Sequence, residues 1–467
     1  MLFSTPFFLF VFLPVFFALY WFLPARRQIL LFGSLLFYGW SEPIFLLVVL
    51  ASARLDWFLG RLIYTLPPGH GRRKMLVGAG VAGNLALLVY AKYTAFAVVN
   101  LNAALLHFGG TAFTVPQIAL PLGVSFIVFE KITYLVDLYR HVAKPAISLL
   151  DYLNYVFLFP KLLAGPIVKY HDISGQLTSP SHRYEDVRDG LIRFIHGLAK
   201  KVLIADTLSP VVDAVFKSSP QSLNTAFAWI GLICFTLQIY FDFSGYSDMA
   251  IGLGRILGFR LLENFNNPYL ATSFTDFWRR WHISLSSWIR EYLYIPLGGS
   301  RVSTARGYAN LCICFLLSGL WHGAAWNFVI WGCFHGVILV ADRAFWLRWQ
   351  QKLPRFVNVT LTLFLVAIGW VFFRCESFTH AIGFLRALCL SQNGNPNAMF
   401  LNTDVATYAT IAIGGVLVFA PLLDFSRFKK FLPDHRAPAL AFGFALLIIS
   451  VGRMAMSTFQ PFLYFRF

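Results

Sequence analysis

The sequence predicts an all-α, polytopic membrane protein with about 10–12 membrane helices, plus re-entrant or interfacial segments. The first observation is composition: 58% of the residues are hydrophobic, 18% are aromatic and only 13% are charged. A typical soluble domain carries roughly 25% charged residues. The second is a series of long runs that are apolar on all sides, whereas a soluble helical bundle would show polar faces at the 3.6-residue period. The third is that basic residues gather between these runs.

Eight runs approach the roughly 20 apolar residues that a spanning helix needs. In chain order they are 5–23, 29–51, 76–91, 118–136, 226–241, 359–373, 406–423 and 437–451. Less continuous segments lie around 152–168, 190–215, 308–320 and 325–342. The first run has no basic residue before it and no A-x-A site after it. We therefore interpret it as a retained span and not as a cleaved signal peptide.

Charge predicts how the chain lies in the membrane. Arg26 and Arg27 follow the first run, and the positive-inside rule places them in the cytoplasm and the N-terminus outside. We interpret 29–51 as one span and 52–66 as a second, weaker pass. The net charge of +17 comes from basic residues between spans. This pattern favours a multi-pass membrane protein and argues against nucleic acid as a partner.

The whole chain, 1–467, is predicted to form a single membrane-embedded domain with three parts. Residues 1–115 are N-terminal spans with short basic loops, and residues 346–467 are again plain spans. Residues 116–345 hold nearly every polar residue that lies in apolar surroundings, so we expect them to form the functional core.

Two segments of this core cannot be simple spans. Residues 158–168 read LFPKLLAGPIV, and residues 278–295 alternate cationic, aromatic and apolar side chains. Lipid cannot satisfy backbone groups freed by such breaks. We therefore expect both segments to be packed inside protein, where they line a cavity. Ordinary proline kinks and an amphipathic surface helix are the alternative.

His322 is the leading candidate for chemistry, because an ionisable residue within a membrane span suggests function. A buried imidazole stays neutral, as a general base requires. The small residues Gly319 and Gly323 leave room for a substrate or a neighbouring helix. The alternative is a hydrogen bond that only joins two helices. His282 by itself is typical of an interfacial helix, and we expect His335 to be structural.

Other polar residues give weaker signals. Asp242 and Asp248 are six positions apart and do not share a helix face. We expect each to accept hydrogen bonds or to pair with an arginine of the set Arg279, Arg280 and Arg290. The six cysteines are scattered through apolar runs, and their spacing predicts neither disulfides nor a metal site.

Seven motifs together resemble the membrane-bound O-acyltransferase family, most of all its branch that O-acetylates bacterial exopolysaccharides, as the alginate O-acetyltransferase membrane component does. The resemblance runs in order from Met1 to about Arg343. The motifs are LPLGVSFIVFEKITYLVDLYR (120–140), FPKLLAGPIVKYHDI (159–173), GLAKKVLIAD (197–206), YFDFSGYSDMAIGLG (240–254), ENFNNPY (263–269), FWRRWHISLSSWIREYLYIPLGG (277–299) and GLWHGAAWNFVIWG (319–332).

The resemblance implies a catalytic role for His322, in the W-H-G context, and for His282, in WRRWHIS. It implies that the membrane helices surround a central tunnel and that the protein lies in the bacterial inner membrane. It also implies acetyl transfer from a cytoplasmic donor such as acetyl-CoA, with no permanently bound cofactor, to an extracytoplasmic partner of a polymer-modification complex. His322 would act as general base, and His282 would orient or shuttle the proton. Asn327 and Trp326 are possible donors to the oxyanion. The residues that bind the donor are unknown from sequence.

The sequence leaves open which polymer is acetylated, and it leaves open two other classes of function. Alginate and cellulose are the leading polymers, and peptidoglycan or another envelope polymer is the alternative. A transporter or flippase of an activated sugar would also have broken helices, although transporters usually show matched interruptions in two halves. Here all interruptions lie in 116–345. A scaffold for polymer secretion remains as a secondary role.

Overall fold

The computed structural model describes residues 1–390, 400, 402–422, 436–456 and 462–463. Within these residues all regular secondary structure is helical, which confirms the all-α prediction. The chain folds as two compact units. The first comprises Met1–Phe194 and Met249–Leu262, and the second comprises the described parts of Ile195–Asp248 and Glu263–Phe467. The single domain with three parts stays a prediction.

The chain begins with a π-helical turn, Phe8–Phe12, that leads into the first of nine helices in the N-terminal part. These are α1 (Leu13–Phe22), α2 (Arg26–Gly39), α3 (Pro43–Thr65), α4 (Gly71–His107), α5 (Val124–Tyr139), α6 (Leu149–Phe157), α7 (Phe159–Leu162), α8 (Tyr170–Ile173) and α9 (Tyr184–Ala199).

The described residues after α9 hold eleven further helices, several of them joined by π-helical or 3₁₀ turns. They are α10 (Asp206–Lys217), α11 (Thr225–Ile256), α12 (Phe274–Arg280), α13 (Ile283–Ile289), α14 (Thr304–His322), α15 (Trp326–Ala341), α16 (Leu347–Gln350), α17 (Arg355–Arg374), α18 (Phe378–Cys389), α19 (Val405–Phe419) and α20 (Arg436–Met456). The π-helical turns are Lys200–Ala205, Arg290–Tyr294 and Asp342–Trp346.

Six helical segments of the described chain are long and apolar enough to cross a membrane. They are Pro43–Thr65, Gly71–His107, Thr225–Ile256, Trp326–Gln350, Arg355–Arg374 and Val405–Leu422. Shorter apolar helices cover Phe8–Phe22, Phe378–Cys389 and Leu440–Met456. The protein is therefore a multi-pass membrane protein, while the finer count of 10–12 helices stays a prediction.

The predicted span 29–51 is wrong in its boundaries. The structure ends α2 at Gly39 and begins α3 at Pro43. Proline cannot continue a preceding helix, because it lacks an N–H and clashes with the turn before it, but it suits the first turn of a new one. Of the two helices in this stretch, Pro43–Thr65 is the one that is long and apolar enough to cross a membrane by itself. It includes most of the stretch 52–66 that we expected to be a separate pass.

A buried ion pair explains the charges that made 52–66 look weak. Asp56 lies 3.1 Å from the Lys131 ammonium on α5, and Asn84 on α4 donates to both carboxylate oxygens at 3.1 Å. All three side chains are buried. Because each charge has a partner inside the unit, α3 can carry an aspartate at mid-length without exposing it to lipid.

The segment 158–168 is broken and fully buried, as predicted. After α7 the chain runs without regular structure, and protein groups satisfy its polar atoms. Lys161 pairs with Glu130, and the same carboxyl group accepts from the Val168 N–H at 3.4 Å. The Ser34 hydroxyl accepts from the Phe159 N–H at 3.3 Å. Protein thus replaces the hydrogen bonds that lipid cannot supply.

The segment 278–299 is also broken. α12 and α13 are separated at His282, whose backbone lies in the left-handed region with φ 45°. A π-helical turn, Arg290–Tyr294, then leads into irregular turns. This arrangement places the segment around a cavity that Trp278, Arg279 and Arg290 help to line.

We expect reporter fusions placed after Arg27 and after Lys74 both to report the cytoplasm. The positive-inside rule places both basic clusters in the cytoplasm, which requires α2 and α3 to cross the membrane in opposite directions with only residues 40–42 between them. A fusion after Ser41 is the control and should report the outside. Fusions to alkaline phosphatase and to a fluorescent protein together report on which side of the membrane each position lies. Opposite locations for Arg27 and Lys74 would contradict the prediction.

Candidate active site

His322 is the last residue of α14, and its position depends on an unusually close contact with α15. A Cβ atom at Gly319 would lie 2.3 Å from the Phe328 carbonyl oxygen, and one at Gly332 would lie 2.4 Å from the Phe315 carbonyl oxygen. Both distances are too short for any side chain. Gly319 therefore makes room for a neighbouring helix, which is one of the two possibilities, helix or substrate, that the sequence left open.

The chain leaves the helix immediately after His322. Gly323 is extended, with φ −162° and ψ 151°, and a Cβ there would lie 2.1 Å from the Phe328 ring. The His322 side chain is 7% exposed. Its ring stands edge-on to Trp331 and Phe373, at centroid distances of 5.0 and 5.3 Å. The imidazole is thus buried in an aromatic environment that water enters poorly.

His322 forms part of the wall of a small cavity of about 20 Å³, room for about one water-sized group. We call it the histidine cavity. Most of the rest of its wall is aromatic. The other lining residues are Ile239, Asp242, Phe243, Trp281, Trp331, Trp370, Phe373, Phe462 and Leu463.

His282 lies close to this cavity but does not line it. Its ring is edge-on to Phe243 at 4.7 Å, and it is 6.2 Å from the Trp321 ring, which in turn is 5.0 Å from the His322 ring. The two histidines that the sequence singled out are therefore brought to the same aromatic cluster. The side chain of His282 is 1% exposed.

Asn264 determines which nitrogen of His282 carries the proton. The Asn264 carbonyl oxygen Oδ1 accepts from the N–H and hydroxyl of Ser284 at 3.2 and 2.9 Å, while its amide Nδ2 donates to the Ser247 hydroxyl at 3.1 Å. With Oδ1 an acceptor, His282 Nδ1 at 3.1 Å must donate. Nε2 then carries the lone pair, and it has no hydrogen-bond partner among the described residues.

His335 is fully buried in the same cluster. Its ring lies 4.6 Å from Trp331 and 5.1 Å from Trp278, and its Nε2 would be 2.8 Å from a Cβ at Gly369. Neither ring nitrogen has a hydrogen-bond partner in the described chain. The sequence-based expectation that His335 is structural stays a prediction.

Asp242 and Asp248 accept hydrogen bonds, as expected, but their ion pairs are with lysines and not with the arginines that were the alternative partners. Asp242 pairs with Lys201 at 2.8 Å, and Asp248 pairs with Lys200 at 2.6 Å. Arg280 instead pairs with Asp276, four residues earlier on α12. Both lysines belong to the π-helical turn Lys200–Ala205, and both reach carboxylates of α11. Lys201 is buried.

Asp242 also contacts the C-terminal segment. Its second carboxylate oxygen accepts from the Leu463 N–H at 2.6 Å. Phe462 packs against Tyr246 and Phe243, at centroid distances of 4.9 and 5.9 Å. Sequence reasoning missed this contribution, since residues separated by more than two hundred positions show no local pattern.

A second cavity, of about 240 Å³, lies on the other side of Trp278, and we call it the arginine cavity. Three exposed guanidinium groups line it, those of Arg279, Arg290 and Arg343, above an otherwise largely apolar wall. None of the three makes an ion pair with a carboxylate of the described chain. Trp278 separates this cavity from Trp331 of the histidine cavity, at a centroid distance of 5.8 Å.

A third cavity, of about 490 Å³, is polar, and we call it the polar vestibule. Asp213, Lys217, Arg374 and Glu376 contribute charge to its lining, and it shares Phe373 and Leu463 with the histidine cavity. The amide of Asn327 also lines it and donates to the Cys375 carbonyl at 3.0 Å.

The two residues suggested as oxyanion donors do not line the histidine cavity. Asn327 faces the polar vestibule, and the Trp326 side chain is 59% exposed. Among the residues that the structure describes, the lining of the histidine cavity offers indole groups instead.

The membrane-bound O-acyltransferase family model matches residues 139–380. The chain is 39% identical to a probable alginate O-acetylase AlgI of Azotobacter vinelandii, over 100% of both chains. It is 40% identical to the probable alginate O-acetylase AlgI of Pseudomonas aeruginosa, over 90% of this chain and 82% of that one. A peptidoglycan O-acetyltransferase of Helicobacter pylori is 36% identical over 83% of this chain and 80% of its own.

We expect Gly332→Ala to impair both stability and acetylation. The added methyl group would meet the Phe315 carbonyl at 2.4 Å, and overpacking typically costs about 1–3 kcal/mol. Moving α15 also moves Trp331 away from His322. Gly78→Ala is the matched control, because that glycine is exposed on α4 with nothing within 4 Å. Thermal unfolding in detergent and polymer acetyl content measure the two effects. Wild-type values in both assays for Gly332→Ala would contradict the prediction.

Proposed function

The chain belongs to the membrane-bound O-acyltransferase family, and from this premise we propose that it moves an acetyl group from acetyl-CoA across the bacterial inner membrane for O-acetylation of an exopolysaccharide. Alginate and cellulose are the leading polymers. One observation carries the proposal: His322, which is within the residues that the family model matches, lies in the wall of a small and largely aromatic cavity.

His322 is proposed as the general base. Its imidazole takes the proton of an acceptor hydroxyl, whose oxygen attacks the thioester carbonyl carbon and forms a C–O bond. The tetrahedral oxyanion then collapses, the C–S bond breaks, and the imidazolium returns the proton to the departing thiolate. The products are an acetyl ester and free coenzyme A. General-base catalysis of this kind contributes roughly 10²–10⁴-fold.

His282 is proposed to assist without contacting the reacting atoms. The fixed Nδ1–H of His282 leaves a basic Nε2 lone pair inside the cluster that holds His322. This supports a role in orienting the cluster or in relaying the proton. The contact of both histidines with Trp321 is the geometric basis for coupling them.

The arginine cavity is the proposed entrance for the donor. Coenzyme A carries several phosphate groups, and guanidinium groups without carboxylate partners suit them. The cavity borders Ser318 on α14, one helical turn before His322. The remaining wall is mostly apolar, which suits an extended thioester arm. Trp278 is the barrier that the arm has to pass on its way to His322.

The polar vestibule is the proposed entrance for the acceptor. Hydroxyl groups can form hydrogen bonds with its carboxylates, its ammonium and guanidinium groups and its amide. Such a hydroxyl group could belong to a carbohydrate or to a serine side chain of a partner protein. Because it shares Phe373 and Leu463 with the histidine cavity, an acceptor bound there lies directly beside that cavity. We propose that an extracytoplasmic partner of a polymer-modification complex receives the acetyl group.

Peptidoglycan is the alternative acceptor, and the Helicobacter pylori relative favours it specifically. The family match favours an acyltransferase over a transporter or flippase. A transporter would also be expected to show matched interruptions in both halves of the chain.

We expect purified wild-type protein to hydrolyse acetyl-CoA slowly and His322→Ala not to do so. A general base beside a bound thioester also activates water when the true acceptor is missing. The variant should still bind the donor, because His322 is assigned to proton transfer. His107→Ala, at the exposed end of α4, is the matched control. Thiol release and polymer acetyl content are the measurements.

Three outcomes separate the alternatives. Loss of acetyl-CoA turnover in His322→Ala, but not in His107→Ala, supports His322 as the general base. Equal thiol release and equal polymer acetylation by wild type and variant would make the histidine structural. Movement of an activated sugar across liposomes, with no thioester turnover, would favour the transporter.

We also expect Arg290→Gln and Arg343→Gln to raise the KM for acetyl-CoA about tenfold each, with kcat nearly unchanged, because each removes a charge-assisted hydrogen bond to phosphate. Arg301→Gln is the matched control, since Arg301 is exposed nearby but does not line the cavity. An unchanged KM in both cavity variants would contradict donor entry at this site.

A further inference from the structure

The histidine cavity is narrow because its walls are rings packed against one another. Trp370 lies 4.9 Å from Trp281 and 5.9 Å from Phe373, and Phe373 lies 5.4 Å from Trp331. The space that these rings leave is about 20 Å³, room for about one methyl-sized group. The apolar lining suits an alkyl group, whereas a hydroxyl-bearing acceptor suits the polar vestibule.

Trp370 is a wall residue that is held in place by a hydrogen bond as well as by packing. Its indole N–H donates to the Tyr269 hydroxyl at 3.2 Å, and that hydroxyl donates to the Thr236 carbonyl of α11 at 2.6 Å. Both rings are almost fully buried. A ring fixed by packing and by a hydrogen bond cannot turn aside at low cost, because protein interiors are close-packed.

We propose that Trp370 is a specificity-determining residue that limits the transferred acyl group to acetyl. This inference rests on the proposed function. With the thioester carbonyl beside His322, the alkyl part of the acyl group enters the histidine cavity. A methyl group fits there, while each further methylene of propionyl or butyryl meets the face or edge of a fixed ring. The cavity wall, and not the site that binds the coenzyme A part of the donor, thus selects an acyl group of two carbons.

The test compares acetyl-, propionyl- and butyryl-CoA as substrates of the purified full-length protein, with thiol release as the readout. Wild type should favour acetyl over butyryl by at least about tenfold in kcat/KM, the scale on which a hydrophobic pocket discriminates methylenes. Trp370→Phe should raise the relative rate with propionyl-CoA, and Trp370→Leu that with butyryl-CoA. Tyr269→Phe, which removes only the hydrogen bond that holds the ring, should relax the preference less.

Trp229→Phe is the matched control, because Trp229 lies on α11 outside the cavity and donates to the Leu388 carbonyl. Its acyl preference should equal that of wild type. Folded Trp370 variants that turn over acetyl-CoA with an unaltered preference would overturn this inference alone. So would wild-type protein that uses butyryl-CoA as well as acetyl-CoA. If wild type releases thiol from none of the three, the proposed function fails and this inference fails with it.

Discussion

The candidate site depends on the contact between α14 and α15. Gly319 and Gly332 let the two backbones meet at a distance that no side chain would permit, since a Cβ at either would lie within 2.4 Å of a carbonyl oxygen. In a membrane, helices associate mainly through such packing, because lipid is as apolar as their side chains. The contact places Trp331 of α15 against His322 at the end of α14. The histidine cavity exists only because these two helices lie this close.

Buried charges form the second layer of support. In the first unit Asp56 pairs with Lys131 and Glu130 pairs with Lys161, and in the second Lys201 pairs with Asp242. Breaking such a pair leaves an uncompensated charge in a medium that cannot solvate it, which costs about 3–5 kcal/mol. These pairs therefore fix relative positions more than they add stability. The Asp242 carboxylate links α11 to the C-terminal segment at the wall of the histidine cavity.

The three cavities of the second unit differ in a way that matches a transfer reaction. The arginine cavity is cationic with a largely apolar wall, the histidine cavity is small and aromatic, and the polar vestibule carries both signs of charge. A small, largely aromatic centre beside two wider chambers would limit hydrolysis of a bound thioester while an acceptor approaches. In the proposed reaction the aromatic walls would serve two purposes, because they would exclude water and define the size of the group that is transferred.

The sequence alone determined the helical membrane class and the broken nature of 158–168 and 278–299, and it singled out His322 as the candidate that lies in the wall of the histidine cavity. These follow from local properties: apolar length, an ionisable residue in an apolar run, and prolines or glycines that free backbone groups. The break at 40–42 carried a local signal as well, in Glu42 and Pro43, but the surrounding apolar residues concealed it. Only the tertiary structure decided that Lys201 pairs with Asp242, that Asn264 fixes the His282 tautomer and that Leu463 reaches the site. Such partners are far apart in the chain. Hydropathy determines which segments lie in lipid, but the direction in which each polar side chain points depends on how the helices pack.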